Sequence, residues 1–359
     1  MLLYGREWTR REIEAYVGKI ENIAGVQKYG YSEGPESGVD MIQVRTASGL
    51  TYNVNASHAL DISSTEFRGV PISWQAIIGE VHPAYFESTG LGFLRSAAGG
   101  LLMTCGLSQV GSPTEDDNEK LGLHGRVHHT PARQVVAEGN WINDEYELRI
   151  RGIIEESRIM GEHLRLIREI KSRVGENKII INDIVENTGF HTVPHMILYH
   201  FNFGFPLMMD GSEITIPSNK IVARDKGISV ESYDRWLAPE VGFEEQVYYH
   251  SDFKITSTDL EKKKMTNVLI KNPHFPVMHQ QDRHSLISVR LSWNVDALPN
   301  LVQWKMPGAG TYVLGLEPSN CFVEGRAAER AKGTLVNLAP GEKKNYFLEL
   351  EISAGNMGD

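Results

Sequence analysis

Three short stretches of this 359-residue chain carry side chains able to trade protons near neutral pH. Residues 122–132 hold His124 between glycines, followed by Arg126, His128, His129 and Pro131. Glycine on either side permits close backbone approach, and a loop ending at proline would present the His124 imidazole on a rim. Residues 194–205 form an aromatic stretch. Read as a strand, it sets His200, Asn202 and Gly204 on one face and Tyr199, Phe201, Phe203 and Phe205 on the other. The third stretch places Gln303 and Trp304 ahead of Glu317, which follows the apolar run 311–316. Desolvation at the end of such a strand would raise the Glu317 pKa and suit the carboxylate to general-base work. Trp304 offers a flat apolar face on which a sugar ring can rest. Each residue also has a plainer reading: an exposed polar loop, a strand with a wet face, and a capped strand end beside a core tryptophan.

Other chemistries find no support. There is no GxxxxGK[ST] phosphate loop, no GxGxxG opening a helix, no GxSxG elbow and no HExxH. His128 and His129 are adjacent, so on a strand they would face opposite ways and be poorly placed to share one metal. Proton exchange between a carboxylate and an imidazole near pH 7 requires neither metal nor cofactor, and none is expected. The two cysteines, Cys105 and Cys321, make neither a disulfide framework nor a metal cluster, and Cys105 reads as a buried structural thiol.

The elements positioning these residues read mainly as strands. Tyr146, Leu148, Ile150, Gly152 and Ile154 share one parity while Glu147, Arg149 and Arg151 take the other, the period of a half-buried strand. Residues 346–352 repeat that pattern, and 178–185, 311–316, 41–45, 286–293 and 164–170 are further strand candidates. Residues 9–24 predict a helix from Ile13, Val17 and Ile20, with Thr9 and Glu12 as a capping box. Residues 259–267 are a weaker helical candidate. With many strands, few helices and no βαβ alternation, an all-β, mainly antiparallel sandwich with a short N-terminal helix is expected. No linker or repeat divides the chain, so one domain spanning 1–359 is expected, with residues 90–125 as loops over its binding face.

The chain has 36 basic and 46 acidic residues, a formal charge of −10, with no basic stripe. This disfavours nucleic acid and anionic membrane as partners. Residues 1–21 lack the apolar core of a signal peptide, and no apolar run reaches membrane-spanning length. A cytoplasmic protein is expected.

The order of Leu123-His124-Gly125, Asn187, Tyr199-His200-Phe201-Asn202, Gln303-Trp304, Leu316-Glu317-Pro318 and Ala339-Pro340-Gly341-Glu342 resembles the aldose 1-epimerase (galactose mutarotase-like) superfamily. Leu60-Asp61-Ile62, Phe93-Leu94-Arg95 and residues 99–106 resemble it too, closest to its uncharacterised bacterial members. The resemblance implies a β-supersandwich with an open cleft and a cofactor-free isomerase that interconverts the anomers of an aldose by opening its ring. It implies His200 as general acid, Glu317 as general base and His124 as a second imidazole orienting the sugar. Arg126, Asn202, Gln303, Trp304, His250 and Asp252 are the expected substrate-binding residues.

Two departures from the family pattern stand out. The arginine that galactose mutarotases place ahead of their first histidine is missing, since residues 100–106 offer only Thr104 and Cys105. Arg126 is the expected replacement, with Arg95 second. Asp252 is the nearest candidate for the sugar-binding carboxylate, and Glu245 is another. The expected partner is a small neutral sugar, with a homodimer as the oligomer to test. Competing functions are non-catalytic carbohydrate binding, or another sugar isomerase, epimerase or lyase on the same scaffold.

Overall fold

The computed structural model describes residues 1–258, 263–276 and 284–355. Two large sheets, antiparallel at every strand pairing, form a sandwich. One runs in the order Ser218–Ala223, Gln246–Phe253, Asn300–Gly308, Thr311–Ser319, Val193–Gly204, Leu102–Leu107, Asp61–Phe67, Leu50–Asn55, Asp40–Arg45, Gly25–Gly30. The other runs Arg133–Ile142, Glu145–Ser157, His163–Arg173, Lys178–Asn187, Lys343–Gly355, His284–Asn294, Lys264–Pro276, Glu213–Thr215. All seven strand candidates from the sequence lie within these strands.

Alternation explains the packing of the second sheet. Along Glu145–Ser157 every second residue is buried, starting from Tyr146, and these side chains join a core that also takes Tyr199, Phe201 and Phe203 from the first sheet. Each such aliphatic or aromatic side chain contributes about 1.5–3 kcal/mol on burial. The strand Val193–Gly204 is instead buried on nearly its whole length: its aromatic face meets the core, and the His200 face lies under loops. Phe205 falls past the strand's end and is exposed.

Three expectations are corrected. The N-terminal helix covers only Arg10–Tyr16 before Val17 turns extended, although the Thr9–Glu12 capping box is present; a separate 3-10 turn, Ile20–Asn22, buries Ile20. Of the helical candidate 259–267, residues 259–262 lie outside the described ones and Lys264 onward is strand. Residues 90–125 are not only loops, because they contain the central strand Leu102–Leu107. The helix Arg326–Lys332 was not anticipated.

A buried ionic cluster bolts the sheets together. Arg168, with no exposed surface, donates from Nη1 to Asp61 Oδ1 and from Nη2 to Asp183 Oδ2, each at 2.7 Å. Tyr199 Oη donates to Asp183 at 2.8 Å. Among the described residues, no helix is long and apolar enough to cross a membrane.

Candidate active site

The strands Val193–Gly204 and Thr311–Ser319 are neighbours, and their register pairs Leu198 with Ser319 and Phe201 with Leu316. That register sets His200 opposite Glu317, and His200 Nε2 approaches Glu317 Oε1 to 3.1 Å. The contact lacks hydrogen-bond geometry: Glu317 Oε1 and His200 Nδ1 are both buried without a hydrogen-bond partner. A buried carboxylate oxygen left unsatisfied beside an imidazole is costly unless a ligand completes it.

The next residues on the same face make room for that ligand. Gly315 pairs with Asn202 on one side and Trp304 on the other. A Cβ at Gly315 would lie 2.6 Å from Glu317 Oε1, 2.9 Å from Trp304 Cβ and 3.2 Å from His200 Cε1. Only glycine allows the carboxylate, the indole and the imidazole to sit this close.

His124 enters from the loop side with a left-handed backbone, φ 58°. Its Nδ1 accepts a hydrogen bond from the Gly111 amide at 3.4 Å, so in the neutral ring the proton sits on Nε2. The ring lies 5.9 Å from that of His200. Together with Trp74, Phe93, Arg224 and Glu245, these residues line a cavity of about 380 Å³. Trp74 meets Trp304 edge to face at 6.0 Å. Glu245 accepts from Arg224 Nη2 and from Trp304 Nε1, both at 2.9 Å, which fixes the orientation of the indole.

The electrostatics follow from burial. Desolvation drives the Glu317 carboxyl well above its usual range, helped by Glu245 and opposed by Arg224. Desolvation, with His124 adding to it, drives the His200 imidazole down. His124 is lowered to about 4 by burial and by His128. Burial thus drives both groups toward their neutral forms and shifts the proton that the pair shares toward the carboxyl.

Four sequence candidates therefore converge: His124, His200, Trp304 and Glu317. Asn202 lies on the His200 face but is fully buried, with Nδ2 donating to the carbonyls of Gly100 and His200. Gln303 and His250 do not reach the cavity. Gln303 pairs with Leu316, which pairs with Phe201, so it shares the core-facing side. There it bonds His250 Nε2 at 3.0 Å, and His250 Nδ1 meets Ser218 Oγ at 2.9 Å. Arg126 is exposed and lines a neighbouring cavity with Glu155 and Glu162; Arg95 is exposed on the rim beside Glu87. The arginine in the cavity is Arg224, which carries no motif and follows the short strand Ser218–Ala223. Asp252 is exposed next to Asn219, and of the two candidates for a sugar-binding carboxylate only Glu245 lines the cavity. His128 and His129 lie on a 3-10 turn, Val127–His129, rather than a strand. Cys105 and Cys321 are free and buried.

Residues 36–352 match the family model described as "Domain of unknown function (DUF4432)". No curated protein matches the sequence. Among solved structures, one from Klebsiella pneumoniae subsp. pneumoniae, provisionally named an aldose 1-epimerase, is 23% identical; the match covers 91% of this chain and 83% of that one, with a TM-score of 0.80. A galactose mutarotase-like protein from Clostridium acetobutylicum is 11% identical over 93% of this chain and 100% of its own, with a TM-score of 0.60. A galactose 1-epimerase from Lactobacillus acidophilus is 12% identical over 93% and 100%, with a TM-score of 0.53. The sandwich is the galactose mutarotase-like fold.

Proposed function

The chain belongs to the family described as "Domain of unknown function (DUF4432)", and on that premise we propose that it is an aldose 1-epimerase acting on a free sugar. The observation that carries this reading is the 3.1 Å approach of His200 to Glu317 at an aromatic-walled cavity.

Exchanging α and β anomers requires a base to take the proton of the anomeric hydroxyl while an acid protonates the ring oxygen. The C1–ring-oxygen bond then breaks to give the open-chain aldehyde. Rotation about the C1–C2 bond and the reverse proton transfers close the other anomer. A pair holding one proton satisfies this balance, because one group accepts as the other donates.

In the productive form Glu317 is the carboxylate and His200 the imidazolium, the charged pair being favoured when the hydroxyls of the polar sugar supply the hydrogen-bond partners that the buried carboxylate lacks. Glu317 accepts the proton of the anomeric hydroxyl and His200 gives its proton to the ring oxygen. The His124 Nε2–H, and Arg224 with Glu245, bind hydroxyls, while Trp304 and Trp74 hold the apolar face of the ring.

The test is saturation-transfer NMR on a panel of free aldoses with catalytic amounts of the full chain. Faster anomeric exchange than in buffer is expected for at least one sugar. Calorimetric binding with no acceleration for any sugar would instead make this a carbohydrate-binding protein.

A further inference from the structure

We propose that His58, His128 and His129 form a binding site for a divalent zinc-type cation, which pins the segment carrying His124 against the first sheet. The three rings come from separate places: His58 from the turn after Leu50–Asn55, the others from the turn Val127–His129. Their centroids lie 4.8, 5.3 and 4.7 Å apart, and one ring nitrogen from each falls within 4.8 Å of the others. All three side chains are at least 95% buried.

For His58 and His128 the hydrogen bonds decide which nitrogen is bare. His58 Nε2 lies 2.7 Å from the Val81 carbonyl, which can only accept, so the proton is on Nε2 and Nδ1 is a lone pair. His128 Nδ1 lies 2.7 Å from Asp61 Oδ2, a carboxylate already held by Arg168 and Thr104. Its Nδ1 therefore donates and Nε2 is bare. His129 Nε2 contacts Ser96 Oγ at 2.8 Å. The remaining nitrogens, His58 Nδ1, His128 Nε2 and His129 Nδ1, are all buried without a partner. Three orphaned ring nitrogens in one buried cluster are what a cation would satisfy, and the carboxylate and carbonyl behind the rings are the outer partners that orient metal-binding imidazoles.

Three imidazole ligands suit zinc, cobalt, nickel or copper rather than calcium or magnesium, which take oxygen ligands. A Zn–N bond of about 2.1 Å requires each ring to move inward by less than about 1 Å. The Phe93 ring lies 5.3 Å from His124, 5.7 Å from His128 and 5.1 Å from His129, between the cluster and the sugar cavity. The ion is accordingly structural. The turns are already laced together by Ala59 N to Thr130 O and Ala132 N to Ala56 O hydrogen bonds, and His129 borders the outer cavity beside Phe86, an entry route. On a strand His128 and His129 would face opposite ways; the 3-10 turn Val127–His129 brings them together.

The experiment strips the full chain with dipicolinate, then titrates Zn²⁺ against a chromophoric chelator and Co²⁺ by its visible absorption, with elemental analysis of the product. One equivalent per chain, tetrahedral-type cobalt bands and a higher melting temperature with Zn²⁺ are expected. His58→Gln and His129→Gln should each weaken Zn²⁺ binding by more than about 100-fold, beyond what loss of a supporting hydrogen bond does. His163→Gln, an exposed histidine outside the cluster, should bind as wild type. Should the cluster variants not fold, the wild-type stoichiometry and cobalt spectrum decide. Wild-type chain that takes up no stoichiometric Zn²⁺ or Co²⁺, or folded variants that bind both as wild type does, would overturn the proposal.

Discussion

His200 and Glu317 stand directly across from one another on adjacent antiparallel strands, with their side chains 3.1 Å apart. They are far apart in sequence, and a one-residue slip of either strand would turn one of them into the core. The register that builds the sandwich therefore also builds the acid–base pair.

Gly315 keeps that pair open. Gly315→Ala puts a methyl 2.6 Å from Glu317 Oε1, displacing the carboxylate. A misplacement on the ångström scale costs about 100-fold in rate, so kcat should fall by roughly that factor while the circular dichroism spectrum stays that of wild type. Unchanged kcat would show that the carboxylate position is uncritical.

Proton inventory predicts a wide pH plateau. With ordinary values of 4.5 and 6.5, the pair would hold a single proton only between those pH values. His200 is lowered to about 3, so the acid edge of the single-proton state moves below 4.5, while the raised Glu317 carboxyl sets its upper edge. kcat for anomeric exchange should persist below pH 4.5; a profile falling with limbs at 4.5 and 6.5 would contradict the burial argument.

Acid stability follows from two core histidines outside the site. His195 and His250 are each lowered from 6.5 to about 4, first by burial. A lowered folded pKa means the unfolded chain binds protons first as pH drops, so stability is present above pH 6.5 and is lost as pH falls toward 4. Each contributes at most roughly 3 kcal/mol over that window. Urea midpoints measured from pH 7 to 4 should fall steadily, and His195→Gln should flatten the slope if it folds.

The Arg168 cluster gives a direct stability test. Arg168→Ala leaves Asp61 and Asp183 buried without their countercharge, an arrangement that costs about 3–5 kcal/mol. Urea denaturation should show a loss of that order; a loss below about 1 kcal/mol would mean solvent reaches the carboxylates.

How much of this was legible beforehand depended on which force set each feature. Alternation identified Glu145–Ser157 and its like because one face is wet. The helix Arg326–Lys332 escaped notice because seven residues of RAAERAK show too little apolar periodicity, and its N-cap is Gly325 with no capping side chain. The N-terminal helix was read too long because Ile20, though buried at helical spacing, belongs to a separate 3-10 turn after Gly18. In the site, His200 and Asn202 could be set on one face from parity alone. Gln303 and His250 lie on the core-facing side; both faces of the inner strands are covered, so parity does not say which side holds the cavity. Arg224, Trp74 and His58 carry no local motif and meet their partners only through tertiary packing.

The decisive measurement is a double-mutant comparison of anomeric exchange by saturation-transfer NMR, using Glu317→Gln, His200→Asn and the two combined. General acid–base groups typically contribute about 10²–10⁴-fold, so each single variant should lose that much. If the residues act as one proton-holding unit, the double variant should be little slower than the worse single one. Near-wild-type exchange in both single variants would contradict the assignment of the reaction to this pair.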